Sequence, residues 1–170
     1  MSIYNHFAYG LDLSKRLKLL QPKAEKAYYK APNSDSLFSI SERLSTINHP
    51  VLVAVDGRDA DFEDNGTESL IKKPQFFFML LLPARNDKPE DILTAQATAE
   101  SNALQVQARM IHQYIANEAG LSGLLIDSFS IRSIGPLGEN LYGVIIGFNL
   151  RHGIDYLVES AYWVEPTEAP

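Results

Sequence analysis

Apolar residues recur along the chain with two periods, and each period predicts a kind of element. Leu37, Ile40, Leu44 and Ile47 are spaced by three and four, one stripe of a helix over 36–47. Asp35 or Ser36 can cap its start. Asn48-His49-Pro50 ends it, because Pro50 disfavours helical geometry at the residue before it. Val51–Val55 is short and rich in β-branched residues, the composition of a buried strand. Asp56-Gly57 then opens a polar loop that runs to Pro74. Phe76–Leu82 is apolar at every position, so it reads as a central strand, and Pro83 ends it.

Residues 89–119 carry the strongest pattern. Pro89 suits the first helical turn, where its missing N–H costs nothing. Glu90 and Asp91 favour the positive end of the helix dipole. No Gly or Pro follows until Gly120, the expected C-terminal stop. Ile92, Ala99, Ala103, Val106, Met110 and Tyr114 form one stripe, which Leu104, Ile111 and Ile115 widen. The alanines predict a helix lying flat on a sheet. From Leu125 to Ile134 the pattern alternates, with Leu125, Phe129 and Ile131 on one face and Ser128, Ser130 and Arg132 on the other. Tyr142, Val144, Ile146, Phe148 and Leu150 alternate too. Gly135-Pro-Leu-Gly-Glu-Asn140 between them is rich in turn residues, so the two runs predict an antiparallel hairpin. Asp155–Val164 reads as a last short edge strand.

The N-terminal part is less regular. Leucines at 11, 13, 17, 19 and 20 are mixed with Lys15, Arg16, Lys18, Lys23, Lys26 and Lys30, and Pro22 interrupts any long helix. Residues 1–34 therefore read as a basic arm or short helix, and 35–165 as a single α+β domain. The order α-β-β-α-β-β gives a mostly antiparallel sheet packed by one long helix.

Composition narrows the function classes. The 170 residues are 45% hydrophobic and 21% charged, the balance of an ordinary globular chain. There is no cysteine, which excludes disulfides, cysteine-ligated zinc, iron–sulfur clusters and cysteine nucleophiles. The net charge of −6 argues against a general phosphate-backbone binder, so no specific nucleic-acid partner is expected. The N-terminus has no cationic stretch followed by an apolar one. The longest apolar run is far short of the roughly 20 residues that span a bilayer as a helix, so no membrane partner is expected.

Candidate chemistry is sparse. Asp56, Asp59, Asp61, Glu63 and Asp64 crowd one segment, but the spacing fails a calcium loop. Counted from Asp59, the sixth position is Asp64 where glycine is needed, and the twelfth is Leu70 where an acid is needed. The segment is a solvated acidic hairpin loop or an adventitious divalent-ion site. His6, His49, His112 and His152 match no metal-binding spacing. No Gly-x-Ser-x-Gly elbow, phosphate-binding loop or dinucleotide fingerprint is present. Gly143 and Gly147 share a strand face, which fits either a close backbone approach or a surface where another subunit packs.

Charge distribution is more telling. Residues 15–30 carry six basic residues against Glu25, and residues 56–68 carry six acids against Arg58. A basic arm of one subunit meeting the acidic loop of the next would be a head-to-tail contact, which closes into a ring. The interface candidates are Lys15, Arg16, Lys18, Lys23 and Lys26 on the basic side and Asp56, Asp59, Asp61, Glu63 and Asp64 on the acidic side. Tyr28 and Trp163 are candidate apolar anchors.

The succession of a helix leading through Ile47-Asn-His-Pro-Val-Leu-Val-Ala-Val55 into a strand, a polar loop, the strand at Phe76–Leu82, the helix at 89–119 and the hairpin at 125–150 resembles a known family. It is similar to the tail terminators and neck, or tail-completion, proteins of tailed bacteriophages. The resemblance implies an α+β sandwich that assembles as a ring, usually hexameric, capping the tail tube and offering a joining surface to the head. It implies no catalytic residue and no cofactor. The implied partners are further copies of the chain and a tail tube or head–tail connector protein. The implied location is a virion or phage-like particle assembled in the bacterial cytoplasm. The basic segment at 11–30 is longer than the family pattern, which fits a related neck or contractile-injection component. Two other readings stand beside it. One is a small cytoplasmic adaptor or binding module with one exposed apolar patch. The other is a divalent-metal-dependent enzyme using the acidic 56–64 loop, with clustered carboxylates in a concave pocket.

Overall fold

In the computed structural model, residues 4–32, 36–64 and 69–155 are described, with the backbone alone at 22–25, 36–39, 57–59, 64, 69, 70 and 153–155. The chain runs α1 (His6–Arg16), a 3₁₀ segment (Lys18–Lys26), β1 (Tyr28–Ala31), α2 (Ser36–Leu44), β2 (Val51–Asp64) and β3 (Ser69–Pro83). It continues through α3 (Pro89–Ile115), a 3₁₀ turn (Leu121–Gly123), β4 (Leu124–Leu137), β5 (Leu141–Leu150) and β6 (His152–Asp155). The strands form one sheet in the order β1-β2-β3-β5-β4, with β6 also paired to β3. The fold is thus α+β with one long helix, as the pattern predicts, but the sheet is mixed. β1 pairs with β2 in parallel, and every other pairing is antiparallel.

Alternation along the central strands builds two layers. Leu52 and Ala54 of β2, Phe78 and Leu80 of β3, and Val144, Ile146 and Phe148 of β5 face one way. They are covered by α1 and by the Ala99, Ala103, Val106 and Met110 edge of α3. Val51, Val53, Val55, Met79 and Leu81 face the other way, against Ile40 and Leu44 of the short helix α2. A Cβ on Gly143 would run into the Leu80 carbonyl, so at this point the β3 and β5 backbones need glycine to approach each other.

Several expectations are corrected. Residues 1–34 do hold a short helix, α1, but the segment is built into the fold rather than standing off as an arm: Tyr9, Leu13, Leu20 and Ala27 are buried in the larger core cluster, and Tyr28–Ala31 is a sheet strand. The α1 helix starts at Asn5, whose side chain accepts a hydrogen bond from the Ala8 N–H at 2.9 Å. Replacing Asn5 with alanine is expected to cost about 1 kcal/mol, read as a lower urea midpoint, while Asn5→Ser leaves it nearly unchanged.

The acidic hairpin loop expected within the polar stretch 56–74 is a hairpin whose arms are paired strands. After a bulge between Asp56 and Ala60, the β2–β3 ladder resumes and runs from Ala60↔Pro74 to Asp64↔Leu70. Helix α3 ends at Ile115 rather than 119, because Asn117 and Ala119 take positive φ before Gly120 does. Asparagine tolerates the left-handed conformation better than most residues and ends the helix ahead of the glycine. Within β4 the alternation is broken between Leu125 and Ser130. There Ser128 Oγ donates to the Leu125 carbonyl at 2.6 Å and accepts the Asn149 N–H at 2.8 Å, standing in for a ladder bond. The last strand is 152–155, and the rest of the expected 155–164 strand, Trp163 included, lies outside the described residues.

Candidate interaction surfaces

The sheet sets the two charged segments apart. The Leu52 N–H donates to the Ala27 carbonyl at 2.7 Å, so the basic 3₁₀ segment ends against the start of β2. Asp59, Asp61, Glu63 and Asp64 lie toward the other end of that strand, and Asp56 lies between. At about 3.3 Å per residue, Asp64 lies roughly 40 Å along β2 from Leu52, less what the bulge takes up. Sequence showed the two charge runs but not this separation, which depends on β2 continuing past Val55.

On the basic side, Lys15, Arg16, Lys18 and Lys26 are exposed. The side chain of Lys23 lies outside the described residues. Arg16 Nε donates to Asp12 at 2.8 Å, and Arg109 from α3 reaches the same carboxylate at 3.4 Å. These two arginines line a cleft of about 230 Å³ floored by Leu13, Leu17 and Val106. One carboxylate thus serves two guanidinium groups, and Arg109 Nε is buried with no hydrogen-bond partner. Arg109 was not among the sequence candidates, since nothing in the α3 pattern places it beside α1. Tyr28 is half-buried against the larger core cluster, and its hydroxyl donates to the Phe7 carbonyl at 2.6 Å. Burial pushes the pKa of that hydroxyl well above its ordinary value.

On the acidic side, Asp61 and Glu63 are exposed on the hairpin, and the side chains of Asp59 and Asp64 lie outside the described residues. Asp56 is half-buried opposite Phe76, at the inner end of the hairpin. The ladder brings Lys73 opposite Asp61 and Lys72 opposite Phe62. Lys73 pairs with Glu63 and holds its carboxyl below the usual carboxylate range, mainly through the hydrogen bond and then through charge. Over 56–74 the sequence has six acids against three bases, a net of −3, so the hairpin is less acidic than 56–68 taken alone. Phe62 is 59% exposed among these charges.

Helix α3 supplies a third surface. Between Ile92 and Ala116 the charged residues are Glu100 and Arg109, and Arg109 is turned toward Asp12. The outward face carries Leu93, Leu104 and Ile115, which are 65%, 51% and 75% exposed. Leu104 and Ile115, expected to widen the buried stripe, instead point to solvent. The buried edge is centred on Ala95, Ala99, Ala103, Val106 and Met110, because alanines let the helix axis come close to the sheet. The spacing of Leu93, Leu104 and Ile115, three turns each, marks a second stripe.

His6 is a buried polar group at the centre of the aromatic cluster. Its ring stacks on Phe78 with centroids 4.5 Å apart. The Nε2 atom lies 3.0 Å from the Phe77 carbonyl, so it must be the protonated nitrogen. Nδ1 then accepts from the Tyr4 hydroxyl at 3.0 Å. Burial lowers the His6 pKa to about 4. His112 is exposed, and His49 Nε2 donates to the Lys26 carbonyl at 3.3 Å. Among the described residues, no group of three or more His, Asp or Glu is placed to hold a metal ion. Among the same residues, no helix is long and apolar enough to cross a membrane. No family model matches the chain, and no curated protein matches it.

Proposed function

We propose that the protein is a non-enzymatic assembly protein of the tail-terminator or neck type. In this reading its copies close head to tail into a ring, of the order of a hexamer, that caps or joins a phage-like tail tube. The carrying observation is that Lys26, at the end of the basic 3₁₀ segment, adjoins the start of β2 while Asp61 and Glu63 lie toward its far end. Charges set this far apart exceed the Debye length of about 8 Å at physiological salt several-fold, so they barely neutralise each other within one subunit. Arg16 and Glu63 are partly engaged by Asp12 and Lys73 within the subunit, but exposed charges such as Lys15, Lys18, Lys26 and Asp61 can meet between subunits, and a repeated head-to-tail contact closes when the rotation per subunit divides a full turn. The α2-β2-β3-α3-β4-β5 succession supports the family resemblance.

The test is the mass in solution by light scattering at low and high salt. A low-salt mass several times 19.0 kDa that falls as salt rises is the expected result. Reversing Asp61 and Glu63 to lysine exchanges attraction for repulsion. At roughly 0.2–1 kcal/mol per exposed pair, the two reversals are expected to weaken assembly about tenfold at low salt. An unchanged mass and salt profile in that variant sinks the charged ring contact. The apolar outer stripe of α3 favours a second reading, a binding module. A monomer at every salt concentration puts that reading first.

A further inference from the structure

We propose that the outer face of α3 packs on the same face of a second copy, antiparallel, about a two-fold axis at Leu104. This contact is separate from the ring contact, being apolar and isologous where that one is charged and head to tail. The apolar positions of the stripe are placed symmetrically about Leu104. Leu93 and Ile115 lie eleven residues to either side, and Ala97 and Ile111 lie seven to either side. Each step keeps the residue within about 20° of the stripe on a helix of 3.6 residues per turn. In an antiparallel pair Leu104 therefore meets its own copy, Leu93 meets Ile115, and Ala97 meets Ile111.

The charges select this direction. Glu100 is the one acid on the stretch from Ile92 to Ala116. A parallel pairing sets Glu100 against its own copy. The antiparallel pairing sets it over Ala108 and separates the two carboxylates by about 12 Å along the axis, beyond the Debye length. It also opposes the two helix dipoles. From Leu93 to Ile115 the stripe is about 33 Å long. A single helix-on-helix contact is small beside the roughly 1,200–2,000 Å² of stable specific interfaces, so the dimer is expected to be weak and reversible.

The chain has no cysteine, so introduced cysteines report the contact without background. The variants L104C, L93C and I115C would be oxidised with oxidised glutathione at high salt, where the charged contact is screened and apolar burial is not. L104C alone is expected to give a covalent dimer. L93C and I115C alone are expected to stay monomeric, because their copies lie about 33 Å apart along the paired helices. Mixing L93C with I115C is expected to restore the dimer. Self-cross-linking of L93C or I115C as fast as L104C overturns the two-fold geometry. No cross-linking in any variant, with far-UV circular dichroism unchanged, overturns the contact itself. Neither outcome bears on the salt-dependent mass that tests the ring, so the two readings fail separately.

Discussion

Replacing Phe78 with alanine is expected to remove about 3–5 kcal/mol of stability, much of the 5–15 kcal/mol typical of a domain. The side chain is fully buried at the middle of β3. Its ring stacks on His6 at 4.5 Å and on Phe148 at 5.7 Å between centroids. A Cβ on Gly10 of α1 would come within 3.0 Å of it, so the helix backbone rests almost directly on the ring. Removing the ring leaves a void beneath α1 that backbone on one side and a strand on the other cannot easily close. The check is the urea midpoint of the variant, with the slope of the transition compared to show that unfolding stays cooperative. Phe62→Ala is the control, since that ring is mostly exposed and its loss is expected to stay within about 0.5 kcal/mol. Equal losses from the two would mean that α1 does not rest on Phe78.

The parts of the fold legible in sequence are those where burial imposes a pattern. Val51–Val55 and Phe76–Leu82 sit under layers on both sides, so their positions are almost all apolar. The outer halves of the same strands were read as a loop. From Ala60 to Asp64 and Ser69 to Pro74 the ladder holds the hairpin through backbone hydrogen bonds, which leave no apolar period to read. β1 escaped notice for a related reason. Tyr28–Ala31 is four residues with a lysine, too short to show alternation.

For α3, its existence and its buried stripe of Ala99, Ala103, Val106 and Met110 were legible, but its end and the width of that stripe were not. A helix carrying Leu, Ile and Ala around most of its circumference offers two apolar edges, and periodicity alone joins Leu104 and Ile115 of the second edge to the first. The sheet took the alanine edge, which permits the closer approach, and left Leu93, Leu104 and Ile115 outside. The candidate surfaces followed the same rule. Charge runs are visible in sequence, because they are local. The distance of Asp61 and Glu63 from Lys26 along β2, and the arrival of Arg109 beside Arg16 over Asp12, depend on pairings distant in the chain.

Acid is expected to destabilise the protein through His6 before most carboxylates titrate. The folded state holds its pKa near 4 by burial, while the unfolded chain returns it to about 6.5. Above pH 6.5 both states are neutral at this ring and nothing is lost. Between pH 6.5 and 4 the unfolded state binds a proton that the folded state refuses, so stability falls as pH falls. The full loss is about 3 kcal/mol, reached near pH 4. The measurement is the urea midpoint at several pH values across this window, for the native chain and for His6→Gln. The variant keeps a donor for the Phe77 carbonyl but cannot titrate, and the difference between the two curves isolates His6 from the carboxylates. Parallel curves would mean that His6 is hydrated in solution and not held neutral. A protonated ring also presents Nδ1–H to the Tyr4 oxygen, which must then stop donating to it. The least costly escape is for α1 to lift from Phe76 and Phe78, taking Tyr4 and Tyr9 with it. Amide exchange in α1 is therefore expected to rise, relative to β3, as pH falls toward 4, once the rates are corrected for the intrinsic effect of pH.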